Sequence, residues 1–369
     1  MNMGNFGGLE KEGWQEGVRY LAQEEKGRSR KLWEQCFAED SARFLDYYYQ
    51  EKCRDNQILV LEALEEGKAG EVVSMVQRNP YQVSWGGRQY RLDYLVGVAT
   101  AKEWRRRGCM KALLGRVFAD EFREGMPFSF LMPADPAIYE PFGFSYIYDQ
   151  PEYCLTGRGL RLRREKVNGE EEAAKAGEWL EGWLKKRYGL FAVRDRAYMI
   201  RLFREIESEY GDWELIWDGE RMAGMECFWG KESRERRFLY AEEEYLECTK
   251  SRPAIMARIV NLEAFMENIS LKEGWEKIEI GILDGQVEEN NGLFSWELTE
   301  EGSRIRRISR EIPEGSWTVS IGELTGWLLG YVSPRVVFNR GNQMRGGNTL
   351  PQKLWDIRMY GSAFLDEIV

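Results

Sequence analysis

Residues 92–114 read LDYLVGVATAKEWRRRGCMKALL, and the order of features in this stretch decides the fold. Apolar residues first alternate and then run together up to Ala99, which predicts a strand that is buried on both faces. Three arginines and Gly108 follow, and an apolar stripe at helical spacing begins at once. Because the first N–H groups of a helix have no partner within it, the stretch predicts a strand, an anion-binding turn and a helix.

The turn has two interpretations. Gly108 carries no Cβ and lets the backbone approach a ligand closely. Arg105, Arg106 and Arg107 can make charge-assisted contacts to phosphate oxygens, which predicts a pyrophosphate site. The alternative is a solvated basic helix start, where unpaired cations beside the positive helix end are mildly destabilising. The order of the flanking elements favours the pyrophosphate site.

The flanking residues predict the other elements of a mixed α and β unit. Apolar residues at helical spacing predict helices, and alternating apolar residues predict strands. Asp40-Ser41 suits a break in the first helix with a new N-cap. A polar turn at residues 65–68 joins two strands into a hairpin. In chain order the predicted elements are helix over residues 29–50, strands over 58–63, 71–77 and 88–99, a helix from 110, a strand over 128–132 and a loop over 133–144.

The composition of the chain excludes several classes of function. Its 369 residues include no histidine, which removes Ser-His and Cys-His catalytic pairs and most transition-metal sites. Six scattered cysteines without a CxxC pair predict neither a metal site nor a disulfide framework. A net charge of -10 argues against nucleic-acid binding. We expect no membrane span and no signal peptide, and a cytoplasmic location.

Residues 92–114 resemble motif A of the GNAT N-acetyltransferases, in which a strand of V-A-T type leads to R-x-x-G-x-G/A and a helix. Arg105, Gly108 and Met110 occupy the three motif positions, and Met110 replaces the usual small residue. In that family the motif cradles the pyrophosphate of acetyl-coenzyme A. The resemblance therefore implies that acetyl-coenzyme A is bound by Val98, Ala99, Thr100, Arg105, Arg106, Arg107, Gly108, Cys109 and Met110.

Residues 137–146, AIYEPFGFSY, are similar to the I-Y-x-x-F-G-Y/F segment of acetyltransferases of the enhanced-intracellular-survival (Eis) type. The resemblance implies an α+β chain of three domains and a ring-like homo-oligomer such as a hexamer. The implied domains are an N-terminal GNAT domain over residues 1–150, a degenerate GNAT-like domain over 151–252 and a sterol-carrier-protein-like domain over 253–369.

Two features of the sequence support this layout. Residues 57–76 and 213–229 share a strand, an acidic-Gly turn and a second strand, although two unrelated hairpins can also look alike. Only the first copy leads to an Arg/Gly turn. The C-terminal residues predict a mixed unit of roughly 110 residues. Its predicted strands cover residues 254–260, 277–283, 292–298 and 317–321, its helices cover 262–269 and 321–331, and the seams lie at 133–151 and 251–253.

Acetyl transfer to an amine needs a proton donor for the leaving thiolate. A phenol titrates at about pH 10 and can serve. The resemblance assigns this role to Tyr139. A loop tyrosine beside Phe142 and Phe144 is otherwise explained by packing alone, and the match to I-Y-x-x-F-G favours the catalytic role.

The resemblance also implies that the C-terminal carboxylate, here that of Val369, helps to deprotonate the amine. The chain ends in AFLDEIV, and this apolar ending indicates burial, which equally suits a last strand that docks for stability. Asp366 and Glu367 are candidates for adding negative potential near the substrate amine.

The sequence suggests a substrate class and leaves one alternative function open. Residues 37–52 mix acidic and aromatic groups, which suits a small cationic amine such as an aminoglycoside, a polyamine or a lysine side chain. Tyr47, Tyr48 and Tyr49 equally suit packing of a helix on the sheet. The first hypothesis is a metal-independent N-acetyltransferase. The alternative is a non-catalytic acyl-CoA- or lipid-binding regulatory or scaffold protein, although Trp275, Trp296, Trp317 and Trp327 could fill a lipid cavity.

Overall fold

The computed structural model describes residues 17–64, 68–231, 234–339, 352–359 and 361–367. Val369, most of the turn at residues 65–68 and the N-terminal residues lie outside this range, and so do the predictions made for them. The strands of the described residues are β1 (Val18–Tyr20), β2 (Gln57–Glu62), β3 (Val72–Trp85), β4 (Arg88–Thr100), β5 (Phe128–Leu131), β6 (Ser145–Leu155), β7 (Arg163–Lys166), β8 (Leu190–Ala192), β9 (Asp212–Asp218), β10 (Arg221–Trp229), β11 (Glu235–Ala241), β12 (Leu246–Ile259), β13 (Trp275–Leu283), β14 (Gly292–Thr299), β15 (Ser303–Ser309), β16 (Thr318–Ser320) and β17 (Ala363–Phe364).

The helices vary from one turn to five. The α-helices of the described residues are α1 (Arg30–Cys36), α2 (Ala42–Tyr47), α3 (Cys109–Arg123), α4 (Pro136–Tyr139), α5 (Glu170–Arg187), α6 (Arg196–Ser208), α7 (Leu262–Met266), α8 (Ile321–Leu328) and α9 (Pro334–Asn339). No helix in these stretches is long and apolar enough to cross a membrane.

The first sheet contains most of the predicted N-terminal elements. Its strands follow the order β1-β2-β3-β4-β5-β12-β6, with β8 paired to β3 and β17 paired to β8. The hairpin of β2 and β3 is confirmed, but β3 continues beyond the predicted end to Trp85 because a Gly86-Gly87 turn pairs it with β4 along its length. The predicted helix break is also confirmed, since the Ser41 hydroxyl accepts a 3.0 Å hydrogen bond from the Phe44 N–H at the start of α2.

Helices cover both faces of this sheet. Neighbouring strand residues point to opposite faces. Gln77 accepts a hydrogen bond from Tyr48, just after α2, whereas Arg78 donates to Glu124, just after α3. The sheet is therefore enclosed by α1 and α2 on one face and by α3 on the other, which explains the continuous apolar run in β4.

Residues 163–241, called the middle unit here, are inserted into the first sheet. They contain α5, α6 and a second sheet of order β11-β10-β9-β7, whereas β8 belongs to the first sheet and is not counted in the middle unit. The strands β9 and β10 form the hairpin that the repeated pattern predicted. After the insertion, β12 returns and pairs with β5 and β6. The predicted strand over residues 254–260 is confirmed up to Ile259, but it belongs to the first sheet, and the predicted seam at residues 251–253 lies inside β12.

The C-terminal unit is a mixed sheet of order β15-β14-β13-β16 with α7, α8 and α9. The predicted strands over residues 277–283 and 292–298 are confirmed. The predicted strand over 317–321 is shortened to β16, because Ser320 caps α8, and α8 ends at Leu328. Trp296 and Trp327 are fully buried with ring centroids 6.2 Å apart, so they fill the centre of this unit, whereas Trp275 is exposed.

Candidate active site

The strands β4 and β5 separate beside the predicted cofactor residues. They run parallel, and their pairing consists of one position, Tyr94 opposite Phe130. On its other side β4 stays paired with β3 up to Thr100. The segment of β4 that contains Val98, Ala99 and Thr100 therefore borders an opening in the sheet. Main-chain groups at such an opening are available to a ligand.

The Arg/Gly turn follows directly and stands in solvent. Arg105, Arg106 and Arg107 are all exposed, and Gly108 adopts a left-handed conformation with φ of 86° as the N-cap of α3. A Cβ on Gly108 would meet no heavy atom within 4 Å. The first N–H groups of α3 have no acceptor within the helix. The start of α3 therefore combines open space at Gly108, three cationic side chains and main-chain N–H donors, which together suit an anion.

The three arginines are not equivalent. The Arg105 Nε donates to the Thr100 carbonyl at 3.1 Å, which ties the turn to the end of β4. The Arg107 guanidinium lies 5.0 Å from the ring centroid of Trp104. Arg106 has a φ of 61°, which side-chain-bearing residues adopt rarely.

The last two predicted cofactor residues face inward. Cys109 is buried and its thiol donates to the Trp104 carbonyl at 3.4 Å. Met110 is half-buried and packs against the core. The methionine at the motif's small position is therefore accommodated by the protein interior.

Tyr139 ends α4 and is buried. Its ring packs edge-on against Phe144 at 5.9 Å, and Phe144 lies 6.0 Å from Phe118 of α3. Burial raises the pKa of the Tyr139 hydroxyl to about 12, so the phenol is protonated at neutral pH. The packing interpretation is confirmed for this ring. The role of Tyr139 as a proton donor stays a prediction.

A buried ion pair anchors the Tyr139 loop. The Arg258 guanidinium on β12 donates to the Phe142 carbonyl at 2.6 Å and to both carboxylate oxygens of Asp284 at 2.9 and 2.8 Å. Both side chains are completely buried. This contact joins the first sheet, the loop and the C-terminal unit at one residue.

The C-terminal tail (residues 361–367) is buried from Ala363 onward. Ala363 and Phe364 pair with β8, and the Tyr94 hydroxyl donates to the Glu367 carbonyl at 2.6 Å. Tyr94 is the residue at which β4 and β5 separate. The predicted burial of the tail is thus confirmed up to Glu367, and the tail reaches the opening of the sheet.

The two tail carboxylates do not provide free negative charge, in contrast to the sequence-based suggestion. Asp366 forms an ion pair with Arg237 at 3.1 Å, and Glu367 forms one with Arg194 at 2.7 Å. Since each carboxylate has its own buried guanidinium, the pairs add little net potential for attracting an amine.

Most of the acidic and aromatic residues over 37–52 serve the fold. Tyr47 and Tyr48 are buried in the core, and the Asp40 carboxylate accepts a hydrogen bond from the Trp33 indole at 2.7 Å. Lys52, at the end of this segment, lines a narrow pocket beside the tail. Its amine forms an ion pair with Glu205 at 3.0 Å. The other polar or aromatic residues of this pocket are Asn79, Tyr81, Tyr198, Arg201, Arg237 and Glu367.

Several residues that hold the site together could not be recognised from the sequence. Tyr94, Arg194, Arg237 and Arg258 lie far apart in the chain and meet their partners only after folding. Arg258 had a detectable signal, since it interrupts the apolar run of residues 254–260. Among the described residues, no group of three or more Cys, Asp or Glu side chains is placed to bind a metal ion.

Comparison with known families identifies the N-terminal region. Residues 17–147 match the family model of the acetyltransferase (GNAT) domain. These residues contain the separated strands, the Arg/Gly turn and Tyr139. The chain therefore carries a GNAT acetyltransferase domain. No curated protein matches the chain in sequence.

Solved structures match almost the whole chain at low sequence identity. A probable N-acyltransferase of Enterococcus faecalis V583 has a TM-score of 0.75 at 16% identity, with 95% of this chain and 99% of that chain covered. A GCN5-related N-acetyltransferase of Anabaena variabilis has a TM-score of 0.72 at 16% identity over the same shares. Eis1 of Mycobacterium abscessus has a TM-score of 0.66 at 14% identity, again with 95% and 99% covered. These similarities establish a shared fold.

Proposed function

We propose that the domain at residues 17–147 transfers an acetyl group from acetyl-coenzyme A to a primary amine of a small cationic substrate. Aminoglycosides, polyamines and lysine side chains belong to this class. One observation carries the proposal: the opening between β4 and β5 leads directly into the exposed Arg/Gly turn at the start of α3. A ligand with a thioester and a pyrophosphate fits such a site. The main chain of β4 is available to the thioester, and the N–H groups at the start of α3 beside it are available to the pyrophosphate.

We assign the cofactor contacts as the motif implies. Val98, Ala99 and Thr100 would hold the pantetheine and the thioester oxygen through their main chain. The turn, Arg105, Arg106, Arg107, Gly108, Cys109 and Met110, would hold the pyrophosphate. The open space at Gly108 and the exposure of the three guanidinium groups support this assignment.

In the proposed reaction the amine nitrogen attacks the thioester carbonyl, so that a C–N bond forms and the C–S bond breaks. We assign Tyr139 as the donor of a proton to the departing thiolate, because its raised pKa keeps the hydroxyl protonated. The proton lost by the amine would pass to the C-terminal carboxylate of Val369.

The position of the tail supports the role of Val369. Glu367 is bonded to Tyr94 at the point where β4 and β5 separate. The described part of the tail therefore reaches the opening at Glu367.

We further propose the Eis type for the whole chain, with a C-terminal domain related to sterol carrier proteins that begins after β12 rather than at residue 253. The similarity to Eis1 of Mycobacterium abscessus over 95% of the chain supports this type. The proposal includes a homo-oligomer, such as a hexamer, in the cytoplasm. A solution mass measurement by light scattering tests the assembly.

The function is tested with a panel of primary amines and an untagged C-terminus. We expect thiol release from acetyl-coenzyme A with at least one polyamine or aminoglycoside, and acetylated product of the expected mass. Binding of coenzyme A without any release across the panel would contradict the proposal and favour a regulatory binder.

Removal of residues 368–369 tests the role of the chain end. We expect kcat to fall by about 10²–10⁴-fold, because a positioned general base contributes on that scale. The same chain with an N-terminal tag serves as the control and should keep the wild-type rate. Full activity of the shortened chain would contradict the assignment of Val369.

A further inference from the structure

The C-terminal tail buries two adjacent carboxylates. Asp366 is 7% exposed and Glu367 is 2% exposed. Burial of a charge is costly unless the charge is paired and hydrogen-bonded, and two neighbouring carboxylates also repel each other. The tail can lie in this position only if other residues neutralise both groups.

The middle unit supplies the partners of Asp366. Arg237 of β11 donates to its carboxylate at 3.1 Å, and Tyr240 of the same strand donates at 2.5 Å. The arginine also contacts the Asp366 carbonyl at 3.4 Å. Gln150 of β6 adds a bond of 2.9 Å from the first sheet.

The middle unit also supplies the partners of Glu367. Arg194, in the loop between β8 and α6, forms an ion pair of 2.7 Å with its carboxylate. Tyr198 of α6 donates to the same carboxylate at 2.8 Å. The Arg194 guanidinium lies 4.3 Å from the Tyr198 ring, so the two partners support each other.

The first sheet contacts the main chain of the tail. Tyr94 donates to the Glu367 carbonyl, and β17 pairs with β8, which itself pairs with Val83–Trp85 at the end of β3. The middle unit therefore holds the carboxylates of Asp366 and Glu367, and the first sheet holds the main chain of Ala363, Phe364 and Glu367. These contacts fix the position of Glu367, the last described residue of the tail.

We infer that the middle unit acts as a clamp for the C-terminal tail, with Arg194 and Arg237 as positioning residues for the chain end. The inference rests on the proposed function, in which the carboxylate of Val369 takes part in the reaction. The hairpin of the middle unit does not lead to an Arg/Gly turn of its own. The inference gives the middle unit a different role, because its arginines hold the tail of the same chain.

Stability alone does not account for this arrangement. Replacement of a buried ion pair by apolar residues is often neutral or stabilising. Two such pairs on consecutive residues are a poor way to gain stability, because apolar side chains would dock the tail equally well. The ion pairs instead determine the orientation of the tail, because each guanidinium binds one carboxylate in a fixed geometry.

The test replaces whole pairs, because a single Arg→Met change would leave a buried carboxylate unpaired and could prevent folding. The two variants are Arg237→Met with Asp366→Leu and Arg194→Met with Glu367→Leu. The matched control is Lys185→Met with Glu181→Leu, which removes an ion pair between an exposed lysine and a half-buried glutamate on α5 of the same unit. Thermal unfolding identifies folded variants.

Two readouts are taken on each folded variant. Digestion with a carboxypeptidase, followed by mass measurement of the chain, reports whether the tail is held. In the wild type and the control, we expect digestion from the C-terminus to stop at Glu367. In the clamp variants, we expect digestion to continue toward the N-terminus and to remove Ala363 as well. Steady-state kinetics should give a kcat at least tenfold lower for the clamp variants, with the KM for acetyl-coenzyme A changed less than twofold.

The outcomes separate the clamp from the proposed function. Clamp variants whose tail stays protected, or whose kcat equals that of the wild type, would overturn the inference. A wild type that acetylates no amine would instead contradict the proposed function. In that case the digestion still decides whether Arg194 and Arg237 hold the tail.

Discussion

Arg106 adopts a backbone conformation that arginine rarely takes, with φ of 61°. A left-handed conformation costs a residue with a Cβ roughly 1–2 kcal/mol, and it persists only where the surroundings impose it. A solvated helix start would have no reason to keep this strain. The strained residue lies between two exposed arginines and two residues before Gly108, which supports a ligand-binding turn.

Tyr139→Phe is the residue-scale test of the proposed acid. Phenylalanine keeps the contact with Phe144, so we expect an unchanged unfolding temperature and an unchanged KM for acetyl-coenzyme A. The loss of the proton donor should lower kcat about 10²–10⁴-fold. Tyr146→Phe, a half-buried tyrosine that follows the same loop, is the matched control and should keep most of the rate.

The pH profile adds a second check on Tyr139. Burial raises its pKa to about 12, so the protonated form persists beyond the usual titration range of a phenol. The wild-type rate should therefore not decline on account of this group until the pH nears that value. An alkaline decline centred at about pH 10 that Tyr139→Phe abolishes would contradict this, because about 10 is the pKa of an unperturbed tyrosine.

At the scale of elements, the start of α3 combines an exposed turn with a well-packed helix. Met110 contacts the core, and the apolar stripe of α3 is buried against β2, β3 and β4. The helix is thus fixed by its own hydrophobic face, while its N-terminal end remains open. A rigid helix with an open N-terminus can bind an anion without rearranging.

Gly108→Ala tests this helix start. The methyl group meets open space, but the φ of 86° is unfavourable for alanine, so we expect a loss of about 1–2 kcal/mol in unfolding free energy and a higher KM for acetyl-coenzyme A. Gly115→Ala is the control, because it also meets open space but lies within α3. It should stabilise the protein by up to about 1 kcal/mol. Equal effects of the two changes would contradict the strained turn.

At the scale of the molecule, β12 links all three parts of the chain. It follows the middle unit, completes the first sheet between β5 and β6, and leads into the C-terminal unit. Arg258 on this strand contacts the Tyr139 loop and Asp284 at once. A disturbance in the C-terminal unit therefore has a direct path to the proposed acid.

Arg258→Met tests this connection. It leaves Asp284 buried without its guanidinium, so we expect a loss of about 3–5 kcal/mol in unfolding free energy, measured by denaturant titration. Arg258→Met with Asp284→Leu removes both charges and should recover much of that stability. The double variant should still lose activity, because the bond to the Phe142 carbonyl is absent. A single variant as stable as the wild type would contradict this account.

The sequence alone determined the local elements of residues 17–147. Alternation and helical spacing gave the β2–β3 hairpin, β4, α3 and the Ser41 cap, because these depend on neighbouring residues. The Arg/Gly turn and the apolar tail were visible for the same reason. The absence of histidine limited the possible acids and bases to carboxylates, amines, phenols and water.

The tertiary structure alone decided how distant segments meet. The pattern of residues 254–260 predicts a strand but does not identify its partners. Those partners belong to a sheet whose first strands lie some 200 residues earlier, and they are determined by the topology of the fold. The pairs of Asp366 with Arg237 and of Glu367 with Arg194 span 129 and 173 residues. Charged side chains in a sequence are expected in solvent, and only folding reveals which of them are buried as pairs.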